Sequence, residues 1–241
     1  MDDRQLTPAE ALVLLEPNAD IGREAAKVTF LSLLVQGALR LERETGRILG
    51  TTTRLRLGRP VAAPPAHVEA VLDAVRYSRS GTLPDVAKRL SKATDRYARF
   101  VTYMLRPRLI ERGLLEQRSH QEQRRMLFLV KRMVTVFTYH PTEAGAREQA
   151  RVRAALDAGP AIRQALDENP ARAAAMAAAL GPLIVLVPAL LPFLAQIGHA
   201  MALPGVGGPG EAGQGDPLDL GWLDDDVDGA MDEVDSAIGG A

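Results

Sequence analysis

Lys92, Arg96, Arg99, Tyr103 and Arg106 follow one another at intervals of 4, 3, 4 and 3 residues. On a helix that spacing stacks them along one face, with Tyr97, Phe100, Val101, Met104 and Leu105 broadly opposite. The chemistry open to such a face is anion binding, because a planar guanidinium can donate two parallel hydrogen bonds to a phosphate. A solvated face normally mixes signs, whereas this stripe carries no acid; the wet side of an amphipathic helix is the plainer account of the same residues. From Leu83 to Arg132 there are 13 bases and 5 acids, a net of +8. A second basic set, Arg54 and Arg56, alternates along "TRLRLGR" with Arg59 just beyond, where protection of a strand edge explains it equally well.

Catalytic patterns are not found. The four histidines, His67, His120, His140 and His199, lie far apart with no HExxH spacing, and there is no GxSxG, GxGxxG or Walker loop. Zero cysteines exclude disulfides, thiolate metal sites and cysteine nucleophiles. Asp224, Asp225, Asp226 and Asp228 lack the glycine and the terminal glutamate of a calcium loop and read as a solvated acidic run. The chain is therefore expected to be non-enzymatic, with no cofactor and no metal.

The net charge of −1 conceals an asymmetry. Residues 1–204 hold all 29 Lys and Arg against 20 acids, a net of +9, and from Gly205 onward there are 10 acids and no base. A basic body suits an anionic surface, and the acidic segment could fold back and compete for it, so self-inhibition is expected. The Gly/Pro-rich run after residue 203 reads as a linker, giving a domain over 1–203 and an acidic disordered tail over 204–241. Trp222 sits in that tail within "LDLGWLDDD", a segment of a kind that docks on partners. The acidic N-terminal residues do not resemble a secretory signal.

The elements that must position these residues read as mainly helical, with one or two short β-hairpins. Thr7, Pro8 and Glu10 form a capping box that opens a helix. Ala26, Phe30, Leu33 and Leu34 mark a second, stopped by Gly37, and Val68, Val71, Leu72 and Val75 a third. After Ser80-Gly81 one short and one long helix follow, closing at Gly113. Each of the two glycines leads into a strand, "LRLE" or "LLEQ", as in winged-helix units. The hairpin turns are expected at Thr45-Gly46 and at the polar "HQEQ", with strands over 114–118 and 124–139. Of the ten residues from Met126 to Thr135, all are uncharged except the adjacent cations Lys131 and Arg132. Further on, Ala173 to Gly210 contains no Asp, Glu, Lys or Arg, and this span reads either as buried core or as a membrane-embedded segment broken by Pro182, Pro188 and Pro192.

Three stretches, "FLSLLVQGALRLE", "YMLRPRLIERGLLEQ" and "MLFLVKRMVTVFTYHPTEAG", resemble the Golgi phosphoprotein 3-like family in the same order, over about Leu6 to Leu190. The resemblance implies a helical domain with a protruding hairpin that binds phosphoinositide head groups at a membrane surface. Carried over, the head-group residues are Lys27 and Arg99, with Arg96 a turn away. Thr102 stands where a second arginine belongs, and the family's pocket tryptophan has no counterpart. With Lys92 and Arg106 from the basic stripe, these form the candidate ligand site. Leu127, Phe128, Leu129, Lys131 and Arg132 form the candidate membrane-contact hairpin. The expected role is a cytoplasmic peripheral membrane adaptor for anionic phospholipid, compatible with protein clients and a homo-oligomer. A winged-helix nucleic-acid-binding regulator, with nucleic acid the less favoured partner, and a scaffold anchored through 180–197 are the alternatives.

Overall fold

The computed structural model describes residues 5–46, 50–126 and 130–193. They form a mostly helical body with two two-stranded antiparallel hairpins. Helix α1 (Pro8–Leu15) opens with the expected capping box: Glu10 N–H donates to Thr7 Oγ1 at 3.2 Å, and Thr7 N–H donates to Glu10 Oε2 at 2.7 Å. Six of its eight residues are buried. A helix apolar nearly all round belongs inside a core, and this short one is packed by α2, α5, α6 and the C-terminal segments described below.

Two successive units then repeat one plan. Helix α2 (Gly22–Val35) ends at Gly37 and runs into hairpin β1 (Leu39–Gly46) and β2 (Gly50–Leu57), followed by α3 (Ala66–Arg76). Helix α4 (Leu83–Ala93) leads through an irregular turn to a π-helical segment (Phe100–Leu105) and α5 (Arg106–Glu111). That helix ends at Gly113, ahead of hairpin β3 (Leu115–Met126) and β4 (Val130–Pro141). Both glycines are left-handed, with φ of 70° and 68°, and both close the same pair of hydrogen bonds. Ala38 N–H reaches Leu33 O and Gly37 N–H reaches Leu34 O; Leu114 N–H reaches Leu109 O and Gly113 N–H reaches Ile110 O. This double closure needs a positive φ, which glycine adopts without a Cβ clash. The units touch where Leu55 N–H of β2 donates to Gly81 O at 2.7 Å, just before α4.

Both hairpins run further than expected. β1 and β2 pair through Gly46 and Gly50, past Thr45-Gly46, and "HQEQ" lies inside β3, paired with Met133 to Val136. A two-stranded ribbon with water on both faces can be polar along its length, so polarity there does not signal a turn. Pro107, which would interrupt a regular helix, follows the π-helical segment and occupies the first turn of α5, where its missing N–H is tolerated.

The apolar C-terminal region belongs to the core. Helices α6 (Glu143–Asp157), α7 (Gly159–Glu168) and α8 (Pro170–Leu180) lead to two 3₁₀ segments, Gly181–Leu186 and Pro188–Phe193, with Pro182 near the start of the first and Pro188 opening the second. Leu183, Ile184, Val185, Val187, Leu190 and Leu191 are buried, and the first segment packs on α1, α2 and α6. Among the described residues no helix is long and apolar enough to cross a membrane. Of the two readings of this span, core is the one observed through Phe193; residues 194–197 and the acidic segment lie outside the described residues.

One buried charge joins α1 to α5. Glu10, fully buried, receives Arg108 Nε at 2.6 Å on Oε1 and Arg112 Nη1 at 3.2 Å on Oε2. Next to it, His67 at the start of α3 is fully buried, its Nε2 lying 3.1 Å from Thr7 Oγ1 and its ring edge-on to Phe100. Burial lowers the His67 pKa from 6.5 to about 4, with Glu10 pulling it up and Arg108 pushing it down. Replacing Glu10 by alanine leaves two guanidinium groups without their buried carboxylate and is expected to destabilise the fold by about 3–5 kcal/mol, read from urea unfolding. For His67 the unfolded chain binds the proton first as pH falls. Its contribution is therefore complete above about pH 6.5 and lost between there and about pH 4. The full loss is about 3 kcal/mol at 1.36 kcal/mol per pKa unit. A His67→Gln variant should show a correspondingly shallower fall in unfolding midpoint over that window.

Candidate anion-binding site

The 4-3-4-3 stripe is not one helix face. Helix α4 ends at Ala93, and Asp95, Arg96 and Tyr97 take φ of 51°, 53° and 66°, three consecutive left-handed residues without a glycine among them. Each such residue costs roughly 1–2 kcal/mol. The turn is braced by Arg96 N–H donating to Ser91 O at 2.8 Å and Arg99 N–H to Thr94 O at 2.9 Å. Reversing the chain here also folds Tyr97 inward, 2% exposed, with its hydroxyl donating to Ala87 O at 3.2 Å. Burial of a whole aromatic ring with its hydrogen bond offsets part of the strain. No glycine, proline or asparagine announces the turn in the sequence, which is why periodicity runs straight through it.

The turn lies against α2. A Cβ on Gly22 would stand 2.4 Å from the Tyr97 carbonyl oxygen, so the first residue of α2 must be glycine for the two backbones to meet. Helix α2 also packs on the π-helical segment. Lys27 is half-buried on α2, while Lys92 is exposed on the last turn of α4, Arg96 on the left-handed turn and Arg99 just after it, ahead of the π-helical segment. Arg99 makes one long contact, 4.0 Å, to Asp95.

Arg106 has a different environment. Its Nε donates to Pro17 O at 2.9 Å and its Nη2 to Ala19 O at 3.2 Å, while the guanidinium carbon lies 4.6 Å from the centre of the Tyr139 ring. It clamps the α1–α2 link to the base of the second hairpin. Asn18 in that link completes the clamp, donating through Nδ2 to Tyr139 O and accepting from Tyr139 N–H, both at 2.8 Å, as a neighbouring strand would.

β3 and β4 pair over twelve positions, and the nine beyond this anchor project as an arm of roughly 30 Å at 3.3 Å per residue. Gln117 to Gln123 are exposed throughout, as are Met133 and Phe137 on β4, at 55% and 53%. Lys131 pairs with Arg125 and Arg132 with Arg124 in the ribbon's register. Leu127, Phe128 and Leu129 lie outside the described residues.

Along the sequence the cations of this region form one population, and the structure divides them. Arg108 and Arg112 hold Glu10, Arg106 holds backbone carbonyls, and Arg118 pairs with Glu116. Among the residues whose burial is described, Lys88, Arg89, Lys92, Arg96, Arg99 and Arg118 are exposed, and the first five lie on α4 and the turn that follows it. Lys88 and Arg89 were not singled out from the sequence, although Lys88 stands four residues before Lys92 and so shares its face. No family model, no curated protein and no solved structure matches the chain. Gly22→Ala should drive a methyl group into the Tyr97 carbonyl, displacing the turn that carries Arg96. A loss of about 1–3 kcal/mol in chemical denaturation is expected, as for other overpacked contacts.

Proposed function

We propose that this chain is a non-enzymatic protein that binds anionic phosphate head groups at a membrane surface through Lys92, Arg96 and Arg99, with Lys27 on the adjoining helix. The observation that carries this reading is the left-handed turn beside the start of α2, which carries exposed Arg96 between exposed Lys92 at the end of α4 and exposed Arg99 just after the turn. Guanidinium groups there can take phosphate oxygens in pairs. The resemblance of three stretches to the Golgi phosphoprotein 3-like family supports the same ligand class, and the projecting arm, with Met133 and Phe137 exposed, supports contact with a bilayer. Arg106 is left out of the ligand set because its donors already serve Pro17 and Ala19.

The repeated helix–glycine–hairpin plan favours a second reading, a winged-helix nucleic-acid binder. Vesicle flotation separates the two. Wild-type protein should float with vesicles containing a phosphoinositide and stay down with neutral phosphatidylcholine. An Arg96→Ala/Arg99→Ala variant should lose roughly 30-fold in partitioning, from about 1 kcal/mol for each basic residue near an anionic surface. Equal flotation of the two proteins removes the proposed site. Absence of flotation, together with duplex DNA binding that weakens steeply with salt, transfers the cations to the second reading.

A further inference from the structure

A second surface adjoins the proposed site without depending on it. The outward side of α4 carries Lys88, Arg89 and Lys92, all exposed. Next to it, just past the end of α3, Tyr77 stands 58% exposed with the Arg89 guanidinium carbon 5.5 Å and that of Arg76 5.9 Å from its ring centre. The nearby acids are engaged. Asp73 accepts from Arg76 at 2.6 Å, and Asp85 accepts from Ser80 N–H at 2.8 Å and from its hydroxyl at 3.1 Å. Those bonds from Ser80 hold the Asp85 carboxyl below its usual range. The patch thus offers an aromatic face among cations, a surface that fits an acidic segment bearing an aromatic residue of its own.

The chain contains one such segment. "DPLDLGWLDDD", residues 216–226, interleaves Leu218, Leu220, Trp222 and Leu223 with five aspartates and lies in a stretch with ten acids and no base. We infer that this segment docks on the Tyr77–Arg89–Lys88–Lys92 surface of its own chain, with Trp222 against the Tyr77–Arg89 corner and the aspartates along the α4 cations. Reach permits it. Phe193 and Trp222 are joined by 28 intervening residues, and a Gly-rich segment of that length spans about 30 Å on average and roughly 95 Å at full stretch. A body of this size has a radius of gyration of about 16 Å. Because Lys92 belongs to both surfaces, the docked segment would compete with a phosphate ligand, but docking itself needs no lipid.

Trp222 is the only tryptophan, so its fluorescence in the full chain reports this contact alone. In dilute buffer without lipid, docking predicts blue-shifted emission and protection from acrylamide quenching. Both should be lost at 1 M salt, where the Debye length falls to about 3 Å. Lys88→Glu/Lys92→Glu and Tyr77→Ala variants, checked for folding by circular dichroism, should release Trp222, whereas Arg153→Glu on the exposed side of α6 should not. Water-like emission at all salt concentrations overturns the inference. So does protection that survives the α4 substitutions, and protection that fades on dilution assigns the contact to a second copy instead. Because no vesicle enters the measurement, its failure leaves the flotation result to stand or fall separately.

Discussion

The carboxylate of Glu10 is the point on which this architecture turns. It sits in a buried helix at the start of the chain, fully removed from water, and its two oxygens are met by Arg108, Arg112 and the Thr7 N–H. A lone buried charge would be intolerable in such a place, and with these partners it becomes a directional link between the first helix and the fifth. Helix α1 is thereby held in the centre, where α2, α5, α6 and the first 3₁₀ segment converge. His67 stays neutral at the edge of the same network, because the ring has been taken out of water and Arg108 adds to the cost of a second positive charge.

From that centre, order passes outward through the short link between α1 and α2. Arg106 and Asn18 bind this link to Tyr139 with side-chain donors and acceptors that stand in for backbone pairing. The base of the second hairpin is therefore fixed to the helical body while its outer length projects. The first hairpin is seated differently, by burial of Leu39 and Leu55 and by the contact of β2 with Gly81. Two copies of one helix–glycine–hairpin plan thus acquire different anchoring from the residues around them.

The proposed anion-binding role depends on which cations this scaffold leaves exposed. A basic excess read along the sequence suggests one large anion-binding ridge, but ion pairs and carbonyl contacts withdraw Arg106, Arg108 and Arg112 from it. What remains outward is a smaller set on α4 and the left-handed turn, set beside α2 by a backbone contact that only glycine allows.

The helical class, the capping box at Thr7, the glycine stops at 37 and 113 and the apolar faces of α2 and α3 were all legible in the residues, because each is a local rule of spacing, capping or backbone freedom acting within a few positions. The hairpin lengths were not, since a polar strand with two wet faces carries no alternation to read and its polar residues look like a turn. Neither was the left-handed turn, which beyond Asp95 has no residue suited to a positive φ and is accompanied by the burial of Tyr97, hydrogen-bonded to α4. The apolar run after Ala173 left core and membrane open until packing against α1, α2 and α6 placed its described part inside. By itself the sequence determined how many cations this protein carries and which elements they occupy. Only the tertiary structure decided that Arg106, Arg108 and Arg112 are withdrawn from water, because their carbonyl and carboxylate partners come from positions some 90 to 100 residues away, Pro17 and Ala19 for Arg106, Glu10 for Arg108 and Arg112.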